Sequence, residues 1–184
     1  ICTGLAYFCE NSSFVDFAKF SQATKIIQTD GIKNILNITE LEHFKRLINV
    51  KLSNALNIGE NVFNFLTNCR KLSYLEIVDS GINIIEFILP SLQSLQVLSF
   101  SGNIISSVKV NSFAKVRNLK YLYLNHNNLV EIHPYSLNQM KLILLDVSYN
   151  KLIRIYKNTF MHLYKLQYLN VSNNPIVYMD DLDF

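Results

Sequence analysis

Apolar residues recur along this chain in a frame too long to belong to a single helix or strand. The frame L-x-x-L-x-L-x-x-N-x-L fits Leu95, Leu98, Phe100, Asn103 and Ile105, then Leu119, Leu122, Leu124, Asn127 and Leu129. It fits again at Leu142, Leu145, Val147, Asn150 and Leu152, and at Leu166, Leu169, Val171, Asn174 and Ile176. Upstream, Leu72, Leu75, Ile77 and Ile82 keep the apolar positions with Ser80 where the asparagine belongs, and Leu47, Val50 and Leu52 keep them with Ala55 there. The leading leucines fall at 47, 72, 95, 119, 142 and 166, a spacing of 23 to 25 residues.

A repeat of this length is one supersecondary unit that cannot bury its apolar face alone and must stack on its neighbours. The L-x-L alternation predicts a short strand with one buried face, and equivalent strands of successive coils pair in a parallel sheet. The asparagine stands where the chain leaves the strand, and its amide both accepts from and donates to backbone groups that the turn leaves unpaired. Ser80 does this in part and Ala55 not at all, so looser or irregular turns are expected at those two coils. Ten residues beyond each asparagine stand Phe113, Leu137, Phe160 and Phe184, which read as an apolar spine on the back. The fold class is an α/β solenoid, with the parallel sheet on a concave face and loops or short helical turns on the convex one.

Residues 1–45 fit the frame poorly and read as an N-terminal cap followed by a degenerate first repeat over Ala23 to Ile32, in either of two registers one residue apart. Residues 46–184 hold about six repeats, the last truncated at the spine position Phe184, so the chain reads as a piece of a longer protein. Its start at Ile1, without an initiator Met or a basic-then-apolar leader, reads as a mature or trimmed end.

With 49% hydrophobic and 17% charged residues the chain is a folding sequence rather than a disordered one. Its net charge of +3 comes from scattered basic residues, which argues against nucleic acid as a partner. Its longest apolar runs, such as Phe87 to Leu89, are far short of the roughly 20 residues that span a bilayer. Of the three cysteines, Cys2 and Cys9 stand close together and are expected to form a bridge that closes the cap. Cys69 reads as a buried small hydrophobe, with an intermolecular bridge as the alternative. Sequons at Asn11, Asn37 and Asn170 are candidates for N-glycosylation and, with the cysteine pair, point to an oxidising secretory route.

Signs of chemistry are lacking. His43, His126, His133 and His162 fall at different frame positions with no H-x-x-x-H pair, and the five glycines form no phosphate-binding loop. No catalytic residue, metal or cofactor is expected. The strand positions that face away from the core are the candidates for binding. The third frame position reads Tyr74, Val97, Tyr121, Leu144 and Tyr168, and the fifth reads Glu76, Ser99, Tyr123, Asp146 and Asn170, while the turns beyond supply His126 and Tyr149. Tyrosine offers stiff contact area with a polar tip. The expected partner-binding set is Tyr74, Tyr121, Tyr123, His126, Leu144, Asp146, Tyr149 and Tyr168, although stacked aromatics would also serve simply to stabilise a sheet face. Asp180, Asp181 and Asp183 read as a solvated loop.

From Leu72 to Ile176, together with the cysteine-closed start, the chain resembles extracellular leucine-rich-repeat proteins, whose motif is specific for a horseshoe fold and barely specific for function. The Cys2 and Cys9 cap and the phenylalanine spine are similar to those of secreted insect immune proteins, the mosquito leucine-rich-repeat immune family among them, and of Toll-type receptor ectodomains. The resemblance implies a secreted innate-immunity scaffold that binds a protein ligand or a second leucine-rich-repeat protein. The alternatives it leaves are a Toll-like or adhesion receptor ectodomain and a cytosolic regulatory repeat protein.

Overall fold

Each coil of the chain contributes one strand, and the strands pair in the order in which the coils follow. The computed structural model describes residues 25–31, 45–55, 63, 66–83 and 89–180, together with the backbone strands that lie ahead of residue 37. The strands are β1 (Cys2–Thr3), β2 (Ala6–Glu10), β3 (Val15–Asp16), β4 (Ile26–Asp30), β5 (Ile35–Leu36), β6 (Asn49–Ser53), β7 (Tyr74–Val78), β8 (Val97–Ser99) and β9 (Tyr121–Tyr123). They continue as β10 (Leu144–Asp146), β11 (Arg154–Ile155), β12 (Tyr168–Asn170) and β13 (Tyr178–Met179). The main sheet runs β1-β2-β4-β6-β7-β8-β9-β10-β12, and all its pairs are parallel except β1 with β2.

Register is set by the inward residues, because a one-residue slip would turn every side chain to the other face. Leu75, Leu98, Leu122 and Leu145 are cross-strand partners, each wholly buried. In β4, Ile27 and Thr29 pair with Val50 and Leu52 and are buried with them, which fixes the register of the degenerate repeat. Strand β2 pairs in parallel with β4, Tyr7 opposite Ile27 and Cys9 opposite Thr29. The sheet therefore begins one coil earlier than the leucine frame reaches.

On the back, Phe113, Leu137 and Phe160 form the buried spine, while Phe184 lies outside the described residues. The described back is made of loops and turns, α-helical residues at Phe63 and Leu66, one 3-10 turn at Lys157–Thr159, and the short parallel pairs β11 with β13 and β3 with β5. Cys69 is wholly buried among the core residues, and burial pushes its thiol up to about 12. The last coil is packed less fully, with Leu166, Leu169, Val171 and Ile176 only partly buried against the core.

The asparagines do what their place in the frame requires. The amide nitrogen of Asn127 donates to the carbonyl of Phe100 in the preceding coil at 2.9 Å and to Leu124 and Asn125 in its own, while its oxygen accepts the Ile105 N–H at 3.0 Å. Asn150 and Asn174 repeat this set one and two coils on. Asn103 adds a second acceptance, from the N–H of Ser80. Each amide therefore ties two coils together, accepting a backbone N–H that would otherwise be buried unpaired and sharing carbonyls such as Phe100 and Leu124 with the neighbouring amide.

Just ahead of the asparagine position runs a column of residues in the left-handed region: Gly31, Asn54, Asp79, Gly102, His126, Tyr149 and Asn173. Its cause is visible in the hydrogen bonds. The N–H groups of the first six point along the stack and donate to carbonyls of the following coil, as His126 does to Ser148 and Tyr149 to Ser172. At Gly102, an added Cβ would stand 1.8 Å from the Asp79 carboxylate, so glycine there meets both the backbone conformation and the neighbour.

Candidate functional site

Alternation along each strand sends the third and fifth frame positions to the face opposite the leucines. Tyr74, Val97, Tyr121, Leu144 and Tyr168 accordingly form one cross-strand row, and Glu76, Ser99, Tyr123, Asp146 and Asn170 a second. Tyr74, Glu76, Val97, Ser99, Tyr121, Tyr123 and Asp146, with Val78 at the end of β7 and Ser101 and Asn125 just beyond the strands, line a shallow concavity of about 680 Å³. A smaller one, of about 370 Å³, lies beside it against Leu144, Asp146, Tyr168 and Asn170.

A lysine stands beside the lining residues Tyr74 and Glu76 at one end of the larger concavity. The Lys51 ammonium is 3.4 Å from the Glu76 carboxylate and 5.2 Å from the centroid of the Tyr74 ring. The Tyr74 hydroxyl donates to the same carboxylate. Burial, then this hydrogen bond, then the negative charge of Glu76 hold the Tyr74 phenol well above its usual range. Across the middle, the Ser99 and Ser101 hydroxyls are 3.0 Å apart and Ser101 donates to the Asn125 side-chain oxygen at 2.7 Å.

At the other end, one Asp146 oxygen accepts from the N–H and the hydroxyl of Ser148, at 2.9 and 2.6 Å, and the second accepts from the Asn170 amide at 3.3 Å. Asn170 repeats the arrangement, accepting from the N–H and hydroxyl of Ser172 at 3.1 and 2.7 Å. These local bonds hold both side chains at fixed positions on the face.

Four of the residues singled out from sequence, Tyr74, Tyr121, Tyr123 and Asp146, thus meet in one concavity, and Leu144 and Tyr168 line its neighbour with Asp146. His126 and Tyr149 stand apart from both, on the turns. They stack on one another with ring centroids 4.2 Å apart and planes 10° from parallel. A left-handed backbone is costly for a bulky side chain, and this column holds Gly, Asn or Asp at its other positions. The half-exposed Tyr149 is the residue of the column least suited to it.

Lys51, Ser101 and Asn125 were not singled out. The frame that starts at Leu47 numbers Lys51 as a fifth position, so the cross-strand alignment was the signal for it. Ser101 and Asn125 lie two residues further along, where the strand has ended and alternation no longer guides. The sequon residue Asn170 is exposed on β12. Asn11, Asn37 and the side chains of Cys2 and Cys9 lie outside what is described. No helix among the described residues is long and apolar enough to cross a membrane, and none of them forms a group of three or more metal-ligating side chains.

The leucine rich repeat family model matches residues 70–129, 93–142 and 117–176, together more than half of the chain. Bovine (Bos taurus) osteomodulin is 33% identical over 82% of this chain, which spans 32% of that protein. An adenylate cyclase of Schizosaccharomyces pombe is 30% identical over 68% of this chain, which spans 8% of it. Among solved structures, an internalin from Listeria monocytogenes superposes over 86% of this chain and 48% of its own with a TM-score of 0.60 at 16% identity, a likeness of fold alone.

Proposed function

Because the chain belongs to the leucine-rich-repeat family, we propose that it is a non-catalytic scaffold that recognises a protein partner on the open face of its sheet, around Tyr121, Tyr123 and Asp146. The observation that carries this reading is the row of partly exposed tyrosines on a face whose backbone is fixed by the sheet and by the asparagine ladder. Rigid, amphipathic rings lose little freedom on binding, so their contact area translates into affinity. Among the described residues of the face no serine, threonine or cysteine is hydrogen-bonded to a histidine, an arrangement by which acyl transfer activates a nucleophile. A repeat segment of this kind is also a small fraction of a cyclase, and there the name belongs to the whole protein, not to the repeats.

The sequons and the Cys2 and Cys9 pair support a secreted protein, and with the family resemblance they support a role in innate immunity. An Asn170 glycan would stand on the open face beside Asp146 and direct a partner toward Tyr121 and Tyr123.

Site-specific photo-crosslinking tests the reading. A photoreactive residue in place of Tyr123 is expected to capture a protein from the fluid in which the chain circulates, and the same residue in place of the exposed Tyr164 on the back is not. Equal yields at the two positions would contradict it.

A further inference from the structure

The open face already shows how it holds a basic side chain, because Lys51 rests against the Glu76 carboxylate and over the Tyr74 ring. The same pair of elements recurs three strands away. Asp146 is the cross-strand neighbour of Tyr123, and Tyr121 precedes Tyr123 by two residues, so the tyrosines here stand on the strand beside the carboxylate, whereas Tyr74 stands two residues before Glu76 on the same strand. Here the carboxylate has no cation of its own: among the described residues no Lys or Arg lies within 4.0 Å of it, and its bonds are to Ser148 and Asn170.

We infer that the corner formed by Tyr121, Tyr123 and Asp146 binds an arginine or lysine side chain of a basic partner segment. The inference rests on the recognition reading above and specifies the chemistry of the partner. A carboxylate flanked by aromatic rings offers a cation both a charge-assisted hydrogen bond and a ring face, and partial removal from water strengthens both. Charge complementarity favours this occupant. The chain carries a net charge of +3, yet none of the ten third- and fifth-position residues from β7 to β12 is Lys or Arg, while Glu76 and Asp146 are acidic. A basic segment therefore meets no like charge along these rows until it reaches Lys51.

The test uses N-acetyl-arginine amide as the probe and its neutral isostere N-acetyl-citrulline amide as the control, with the ring resonances of Tyr121 and Tyr123 followed by NMR. The arginine probe is expected to shift both rings saturably, and the citrulline probe is not. Asp146→Asn is expected to weaken the arginine probe about fivefold to tenfold, the combined size of a partly exposed ion pair and a cation–ring contact. That variant is structurally mild, since Asn170 makes the same turn bonds one coil on. Equal shifts with both probes, or arginine binding unchanged in Asp146→Asn, would overturn the inference. If the probe fails while a crosslink at position 123 persists, the face recognises protein by other chemistry and only the basic anchor falls. If the crosslink fails, the recognition reading falls on its own test.

Discussion

The coils that carry asparagine and the coils that do not close the same turn by different means. At Asn103 the amide makes two acceptances and reaches three carbonyls. Ser80, one coil earlier, accepts a single N–H, from Ala55 at 3.1 Å, and donates to the Val78 carbonyl at 2.6 Å. Ala55 contributes nothing from its side chain, and its backbone is served by Ser80. The dependence is directional: each polar side chain satisfies the coil before it, so the coil at Ala55, with no polar side chain of its own, is served by the Ser80 hydroxyl and the coil at Ser80 by the Asn103 amide. The turn at Ser80 keeps the left-handed residue ahead of it, at Asp79, as the asparagine coils do. The expected irregularity there shows as a thinner set of hydrogen bonds and as a second left-handed residue, Gly81, which the asparagine coils lack at the corresponding position.

Asn127→Ala is the harshest way to break this comparison. It orphans the buried Ile105 N–H and takes one of their donors from the carbonyls of Phe100, Leu124 and Asn125, which keep Asn103, Asn150 and the Gly102 N–H, and unfolding by urea should show a loss of about 2 kcal/mol, within the range for an orphaned buried group. Ser80→Ala removes one acceptance and one local donation and is expected to cost about 1 kcal/mol. A loss at Ser80 as large as that at Asn127 would mean that the two turns are held alike. A smaller effect sharpens the contrast between the polar ladder and the open face. Tyr74 holds its proton in the folded chain beyond the pH at which it releases it unfolded, so the unfolded state binds fewer protons above about pH 10 and stability falls as pH rises through that range. Tyr74→Phe should show a shallower fall of stability above that pH, measured by denaturation across the alkaline range, with little change near neutrality.

The fold was legible because burial leaves few choices. Leu98, Leu122 and Leu145 must be apolar at a fixed spacing, and that spacing alone specifies coil length, strand and parallel pairing. Legibility fails where the coil is filled differently. In β4 the inward pair is Ile27 and Thr29, and in β2 the corresponding register positions are Tyr7 and Cys9, so a leucine frame passes over them while the backbone pairing does not. The left-handed column was readable at Asn54, Asp79, Gly102 and Asn173, but His126 and Tyr149 interrupt it and were instead grouped with the binding residues. The open face itself followed from alternation. Its grouping into one concavity did not, because bringing Lys51 to Glu76 and Ser101 to Asn125 depends on register between coils rather than on order along the chain.

The central claim is that adjacent residues of one strand serve different ends, Leu122 holding the fold and Tyr123 standing on the open face proposed for recognition. Urea unfolding of Leu122→Ala and Tyr123→Ala side by side tests it most directly. Leu122→Ala, at a wholly buried site, should lose about 2 to 5 kcal/mol through the cavity it leaves, and Tyr123→Ala should stay within about 0.5 kcal/mol of the parent chain. Equal losses at the two positions would contradict the division of faces.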